Sequence, residues 1–277
     1  MKIKIMGTAA YERVPSLFCN CPACKLARKK GGKYYRSQTQ TLIDDKLLID
    51  FNMDNYLHAI KHNINFSAIE NLLITHSHMD HFSIEEFTMR GGAFSHNLDC
   101  EKINIYGAND CYLSFSKNKE AKNCDFVVVK EFQTFSVGKY TITAIPASHN
   151  TDNPLCYVIN DGEKTILYSL DTNLFEEKTY EFLAKNKFQF DLVIADCCYG
   201  VLDTENCGGH MSLALNEKHR EKLKKAGCIK DSTKWLLTHF SHNGLVKNGK
   251  GLTLLEFKRI AKAKNMFITY DGEEIVL

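Results

Sequence analysis

The chain has 277 residues, 44% hydrophobic and 25% charged, and its 35 basic against 33 acidic side chains leave a net charge of +2. That length suits one large layered domain over residues 1–277, and the balanced charge argues against a nucleic-acid coat or an acidic tail. Met1 runs straight into KIKIM, no apolar stretch approaches a membrane span, and eleven cysteines lie mostly singly in apolar segments such as ADCCYG, so a soluble cytoplasmic protein without disulfides is expected.

Strand patterns dominate the first half: KIKIM, QTLID turning at Asp44-Asp45 into KLLIDF, NLLIT, KINIYG, DFVVVKEF and KYTITAIPA. The second half adds LCYVIN, a turn at Asp161-Gly162, KTILYSL, FDLVIAD, KWLLTHF and MFITY. Helical patterns fall between them at MDNYLHAIK, EEKTYEFLAKN, SLALNEKHREKLKKA and TLLEFKRIAKAK, with Ser212 as an N-cap and Gly227 past a helix end. Many strands with interleaved helices predict an α/β (α+β) architecture, two sheets packed face to face with helices on their outer sides. His58, His62, His96 and His219 lack ligand spacing and read as structural or exposed, and Trp235 reads as core.

Directly after NLLIT comes THSHMDH, which puts His76, His78, Asp80 and His81 at one strand end. A loop there can aim several side chains at one spot while the strand holds the backbone rigid. Imidazole and carboxylate suit zinc, manganese or iron, and alternate positions in an extended turn can serve two ions. Other strand patterns stop in the same way: TAIPASH at His149, SLDT at Asp171 and WLLTH at His239. Seven donors thus follow aliphatic runs.

This order of motifs resembles the metallo-β-lactamase superfamily, and the likeness spans nearly the whole chain. It implies an αββα sandwich. It also implies that His76, His78 and His149 hold one divalent metal, that Asp80, His81 and His239 hold the other, and that Asp171 bridges them. Such a pair, about 3.5–4 Å apart, can share a hydroxide as nucleophile, which makes hydrolysis the expected reaction and Asp80 part of its machinery.

Upstream, FCNCPACKLARKKGG holds Cys19, Cys21 and Cys24 within a loop of about residues 19–36. Three thiols so close in a cytoplasmic chain suggest a closed tetrahedral zinc site short of one donor, and His242, three residues after His239, is the candidate. Together with LTHFSH, these marks resemble the phosphoribosyl cyclic phosphodiesterase (PhnP) type within the superfamily. That likeness implies hydrolysis of a small anionic phosphodiester, a possible homodimer, and a histidine outside the metal shell matched by GGHMSL. His210 is therefore assigned as general acid or phosphate contact, since a ribose alkoxide is a poor leaving group.

Where that type carries a glycine-rich turn after Gly7-Thr8, this chain reads Ala9-Ala10-Tyr11-Glu12-Arg13, bulkier and charged. An anionic substrate would then meet an arginine, with Arg90 favoured over Arg36 and Arg13. KLARKKGGKYYR carries six basic residues and two tyrosines, which raises an RNA-processing nuclease, although a solvated helix is the simpler reading. A lactonase or thioesterase uses the same chemistry on acyl carbon, and a non-catalytic adaptor stabilised by its metals is the reading from another class.

Overall fold

The computed structural model describes residues 1–204 and 207–277. The first sheet contains β1 (Lys2–Gly7), β2 (Gln40–Ile43), β3 (Leu47–Ile49), β4 (Asn71–Leu73), β5 (Ile103–Gly107), β6 (Cys124–Val128) and the C-terminal β16 (Glu273–Val276), ordered β16-β1-β2-β3-β4-β5-β6. The second contains β7 (Thr134–Val137), β8 (Tyr140–Pro146), β9 (Leu155–Asn160), β10 (Thr165–Ser169), β11 (Phe190–Asp196), β12 (Ile229–Thr238) and β15 (Phe267–Ile268), ordered β15-β12-β11-β10-β9-β8-β7. A small ribbon pairs β13 (Val246–Lys247) with β14 (Lys250–Gly251).

Each sheet is half parallel and half antiparallel. β3 to β6 run parallel, as do β10, β11, β12 and β15, while the remaining pairs are antiparallel. The parallel strands read as unbroken aliphatic runs because both of their faces are covered. In β11, Leu192, Val193, Ile194 and Ala195 are all fully buried.

Between the sheets, Ile3, Ile5, Ile49 and Leu73 of one layer pack against Ile142, Tyr157, Tyr168 and Ile194 of the other. Outside the first sheet lie α2 (Asn55–His62) and α3 (Asn109–Phe115), the former held to β1 by a bond from His62 Nε2 to Met6 O (2.7 Å). Outside the second lie α4 (Glu177–Lys185), α5 (Leu213–Lys225) and α6 (Leu254–Lys262), whose Leu183, Leu223 and Phe257 join Trp235 and Leu237 in another apolar layer. Met6, Leu48, Phe82, Ile105 and Cys111 form a third apolar layer outside the first sheet, and the αββα order follows from these three layers of burial. A further helix, α1 (Pro22–Lys30), lies near the ribbon.

Helix ends follow their sequences. Ser212 caps α5 by accepting from Leu215 N, and Thr253 and Glu256 form a reciprocal capping box on α6. Strands β7 and β16 and helix α3 were not expected from pattern: TFSV and EEIV are short and polar, and NDCYLSF is only two turns long. No helix among the described residues is long and apolar enough to cross a membrane.

One edge of the sandwich collects strand ends. β8 points the same way as β10, so His149, Asp171, Asp196 and His239 emerge together, and across the interface the ends of β3 and β4 deliver Asp50 and the 75–81 loop. Backbone bonds stitch the two layers there: Leu155 N to Thr75 O (2.8 Å) and Phe240 N to Thr8 O (2.8 Å).

Candidate metal centre

The strand ends turn their side chains inward through a left-handed backbone at Asp50 (φ 66°), Asp171 (φ 47°) and His239 (φ 60°). Aspartate and histidine tolerate this region better than bulky residues do, and such conformations gather at functional sites.

His76 Nε2 and His149 Nε2 lie 3.0 Å and 3.2 Å from His78 Nδ1. Asp80, His81 and His239 form a second group, with His81 Nε2 3.2 Å from Asp80. Asp171 stands between the groups, 3.1 Å from His81, 3.2 Å from His239, 3.6 Å from His149 and 4.0 Å from His76. Thus all seven donors expected from the sequence converge on one spot.

The outward contacts of the rings decide which atoms face that spot. His81 gives its Nδ1–H to Asp50 (2.8 Å), His149 gives its Nδ1–H to Gly209 O (3.1 Å), and His239 Nδ1 faces Thr39 Oγ1 (3.2 Å), a hydroxyl already committed as donor to Ala9 O. Thr75 Oγ1, bonded to Asp50, likewise leaves an acceptor for His76 Nδ1 (3.0 Å). With protons outside, unprotonated nitrogens and carboxylates meet inside. His81 Nε2 and Asp171 Oδ2 face each other at 3.1 Å in the buried centre, yet neither makes a hydrogen bond, with the other or with any other described group. Acceptors facing acceptors in a dry site call for a cation, and this donor set fits divalent metals. Without a metal, protons on His239 and His81 take the cation's place: burial pushes the Asp171 carboxyl up, but these two rings more than offset that and hold it well below the usual range, so that it meets a metal as an anion.

His210 sits at the rim, its ring stacked 5.5 Å from that of His239. Its Nδ1 donates to Asp196 Oδ2 (2.9 Å) and lies 3.8 Å from Asp171. Burial would lower its pKa, but the Asp196 carboxylate outweighs this and raises it to about 9. Asp196 is itself locked, accepting from the backbone N–H of Cys198 and Met211 at 2.9 Å each.

About this centre lies a cavity of about 440 Å³. None of the three arginines expected to meet substrate lines it. Arg90 donates to Cys100 O (2.6 Å) and Asn123 O (3.4 Å), because the 3-10 turn Ile84–Met89 carries it to a separate apolar cavity beside Phe66 and Phe87. Arg36 is buried, bonded to Thr8 Oγ1 (2.8 Å) and Thr269 O (2.7 Å) and stacked over Phe240. Arg13 is clamped on Asp54 at 2.9 Å. The residues that pattern reading missed are Asp50, Thr75, Asp196 and Glu12. Asp50 and Asp196 carry the same mark as Asp171, an acid at the end of an aliphatic run.

Beside the cavity, Cys19, Cys21, Cys24 and His242 form a separate cluster, with His242 Nδ1 3.3 Å from Cys21 Sγ and 3.7 Å from Cys19 Sγ. Each sulfur receives a backbone N–H: Cys19 from Cys21 (3.4 Å), Cys21 from Cys24 (3.5 Å) and Cys24 from Ser16 (3.3 Å). Such donors stabilise thiolates, so the cluster fits a closed tetrahedral zinc site. Half of the six basic residues downstream are engaged: Arg28 donates to Cys19 O (2.7 Å) and Ser16 O (3.0 Å), Lys33 lies over the Tyr270 ring and Arg36 is buried as above, whereas Lys25, Lys29 and Lys30 are exposed.

Known proteins share this fold. Zinc-bound PqqB from Methylobacterium extorquens superposes over 100% of both chains at 17% identity (TM-score 0.75). A diphosphatase from the PhnP family aligns over 99% of this chain and 97% of its own at 17% identity (TM-score 0.74). The short form of human tRNase Z aligns over 100% and 99% at 15% identity (TM-score 0.65). At these identities the likeness is one of fold, and no curated protein sequence matches the chain. Residues 47–240, more than half of the chain, match the Beta-lactamase superfamily domain, and the protein therefore belongs to the metallo-β-lactamase superfamily of metal-dependent hydrolases.

Proposed function

We propose that the protein is a dinuclear-metal hydrolase acting on phosphoric esters, with a small phosphodiester as the favoured substrate. The observation that carries this reading is the set of seven inward-facing donors beside an aspartate-backed histidine. When bound, two divalent ions, zinc, manganese or iron, would supply an activated water and polarise the ester oxygen under attack. His76, His78 and His149 would hold one ion and Asp80, His81 and His239 the other, with Asp171 shared, while the cysteine cluster would hold a structural zinc.

His210 delivers the proton that an alkoxide leaving group needs. Its Nδ1 is occupied by Asp196, so Nε2 is the atom available to the cavity, and the Asp196 carboxylate favours the protonated ring. A phosphoric ester is favoured over a thioester because this acid is placed for a poor leaving group, and over a lactone because a neighbour in fold is described as a diphosphatase of the PhnP family. An RNA-processing role finds little support in the segment 25–36, where Arg28 and Arg36 are tied to the protein itself.

Protein loaded with manganese or zinc is to be assayed on uridine 2′,3′-cyclic phosphate and bis(p-nitrophenyl) phosphate. Hydrolysis of these is the expected result. Cleavage of lactones or thioesters alone would move the reaction to acyl carbon, and bound metal with no turnover of either class would leave an adaptor. Replacing His210 by alanine should slow the alkyl ester about 100-fold but the p-nitrophenyl ester much less, with metal content unchanged. Equal losses on both esters would remove the proton-donor role.

A further inference from the structure

The wall of the metal cavity has a chemistry that the seven donors do not explain. Ala10, Tyr11, Glu12, Met79 and Cys198 complete it, and among its described lining residues there is neither lysine nor arginine. Glu12 is the single carboxylate there outside the donor set.

The loop bearing Glu12 is fixed at both ends. Ala10 N donates to Phe240 O (3.1 Å), the Gln38 side chain donates to Tyr11 O (3.0 Å), and Val14 and Arg36 exchange backbone bonds at 3.0 Å and 2.7 Å. The carboxylate is fixed as well. Its Oε1 accepts from Ser241 Oγ (2.5 Å) and lies 3.8 Å from His242 Nε2. His242 turns Nδ1 to the cysteine sulfurs, so its ring proton belongs on Nε2, facing Glu12. His239, Ser241 and His242 share one short turn, which therefore ties Glu12 to both clusters. Glu12 Oε2 takes part in neither contact, and the side chain is 28% exposed.

A carboxylate held this firmly cannot swing away from an incoming anion, and no described lysine or arginine lines the cavity to mask it, while the His210 ring is already paired with Asp196. It tolerates a neutral polyol and welcomes a hydroxyl or ammonium donor. A second phosphate or carboxylate would meet repulsion in a partly desolvated space.

We propose that Glu12 is a specificity-determining residue that excludes substrates carrying a second anionic group and favours phosphoric esters whose remainder is neutral or donates hydrogen bonds. This rests on the phosphoric-ester reading above, so the test separates binding from turnover. Calorimetric titration of the manganese-loaded full chain with fructose 6-phosphate and with fructose 1,6-bisphosphate reads selectivity without chemistry. Wild type should bind the monophosphate at least about tenfold more tightly. Glu12→Gln should bring the ratio near one and Glu12→Lys should reverse it, both keeping wild-type metal content. Ser241→Ala, which loosens the carboxylate but keeps its charge, should lower the ratio without reversing it. Turnover of uridine 2′,3′-cyclic phosphate against its 5′-phosphorylated form should follow the same order. A ratio unmoved in Glu12→Gln, a wild type that prefers the bisphosphate, or a wild type that binds neither sugar overturns the proposal. If the binding ratios hold but no phosphoric ester is hydrolysed, the discrimination by Glu12 stands and the proposed reaction alone falls.

Discussion

Asp50 takes the Nδ1–H of His81 at 2.8 Å, and the same carboxylate accepts both the backbone N–H (2.8 Å) and the hydroxyl (2.9 Å) of Thr75. Three bonds to one fully buried carboxylate fix the His81 tautomer and aim Nε2 at the metal centre. Partners of this kind orient a ligand and raise its basicity, and losing one costs about 10–100-fold in metal affinity. Asp50→Asn should therefore weaken binding at the Asp80, His81 and His239 group by about that factor, with far-UV circular dichroism unchanged. Competition against a chromophoric chelator reads the affinity, and an unaltered value would confine Asp50 to folding.

His149 depends on a backbone with no room for a side chain. Gly209 adopts φ 88°, and a Cβ there would lie 2.7 Å from His149 Nδ1 and 2.9 Å from its Cα, while the Gly209 carbonyl is the acceptor for that ring. Gly209→Ala is strained at its own φ and displaces the imidazole. The His76, His78 and His149 group should lose about tenfold or more in affinity, with the other group less affected. A stepwise metal titration separates the two, and equal weakening of both would mean that the substitution acts through general unfolding.

Stability should fall on mild acidification because of His219. It is fully buried between Phe175 and Trp235, with its Nδ1 accepting from Tyr180 Oη at 2.7 Å. Burial first, and Lys222 second, lower its pKa to about 3. The folded state thus keeps His219 neutral while the unfolded chain takes up a proton near pH 6.5. Its contribution is complete above that value and drains away as pH falls toward 3. Between pH 7 and pH 5 this one group should cost about 2 kcal/mol. His219→Phe, less stable at pH 7 through the unpaired Tyr180 hydroxyl, should lose less than wild type over that interval in urea titrations. Parallel losses in the two proteins would exclude His219 as the source.

Which parts of this architecture pattern alone can reveal depends on how local the cause is. His76, His78, Asp80 and His81 announce themselves by spacing, and His149, Asp171 and His239 by position after aliphatic runs that become parallel or co-directed strands. Asp50 and Asp196 occupy equivalent strand ends, yet a lone acid there has no spacing partner, and its role arises only when pairing brings β3 beside β4 and β11 beside β12. Arg90 misled for the opposite reason. Nearness in sequence to the THSHMDH loop suggested nearness in space, whereas the intervening 3-10 turn sends its guanidinium to the Cys100 carbonyl. Glu12 has no motif at all, and its place follows from a loop pinned by Phe240, Gln38 and Ser241.

The cysteine cluster offers the last test, because it joins segments that are otherwise loosely connected. Cys21 also caps α1 by accepting from Cys24 N, and α1 packs so closely on the ribbon that a Cβ at Gly251 would come within 2.6 Å of Pro22 O. Burial drives the Cys24 thiol up to about 12 despite the N–H of Ser16, so a thiolate there needs an adjacent cation as well. Cys24→Ser keeps the size of the side chain and removes the soft donor. The variant should bind one zinc equivalent fewer by elemental analysis and lose about 2–4 kcal/mol of stability, roughly 3–7 °C in melting temperature for a chain of this size. Activity should fall mainly through a higher KM, since the loop holding Glu12 loosens while the seven donors keep their supports. An unchanged zinc count would show that the four residues are not a metal site, and a fall confined to kcat would disconnect the cluster from the cavity wall.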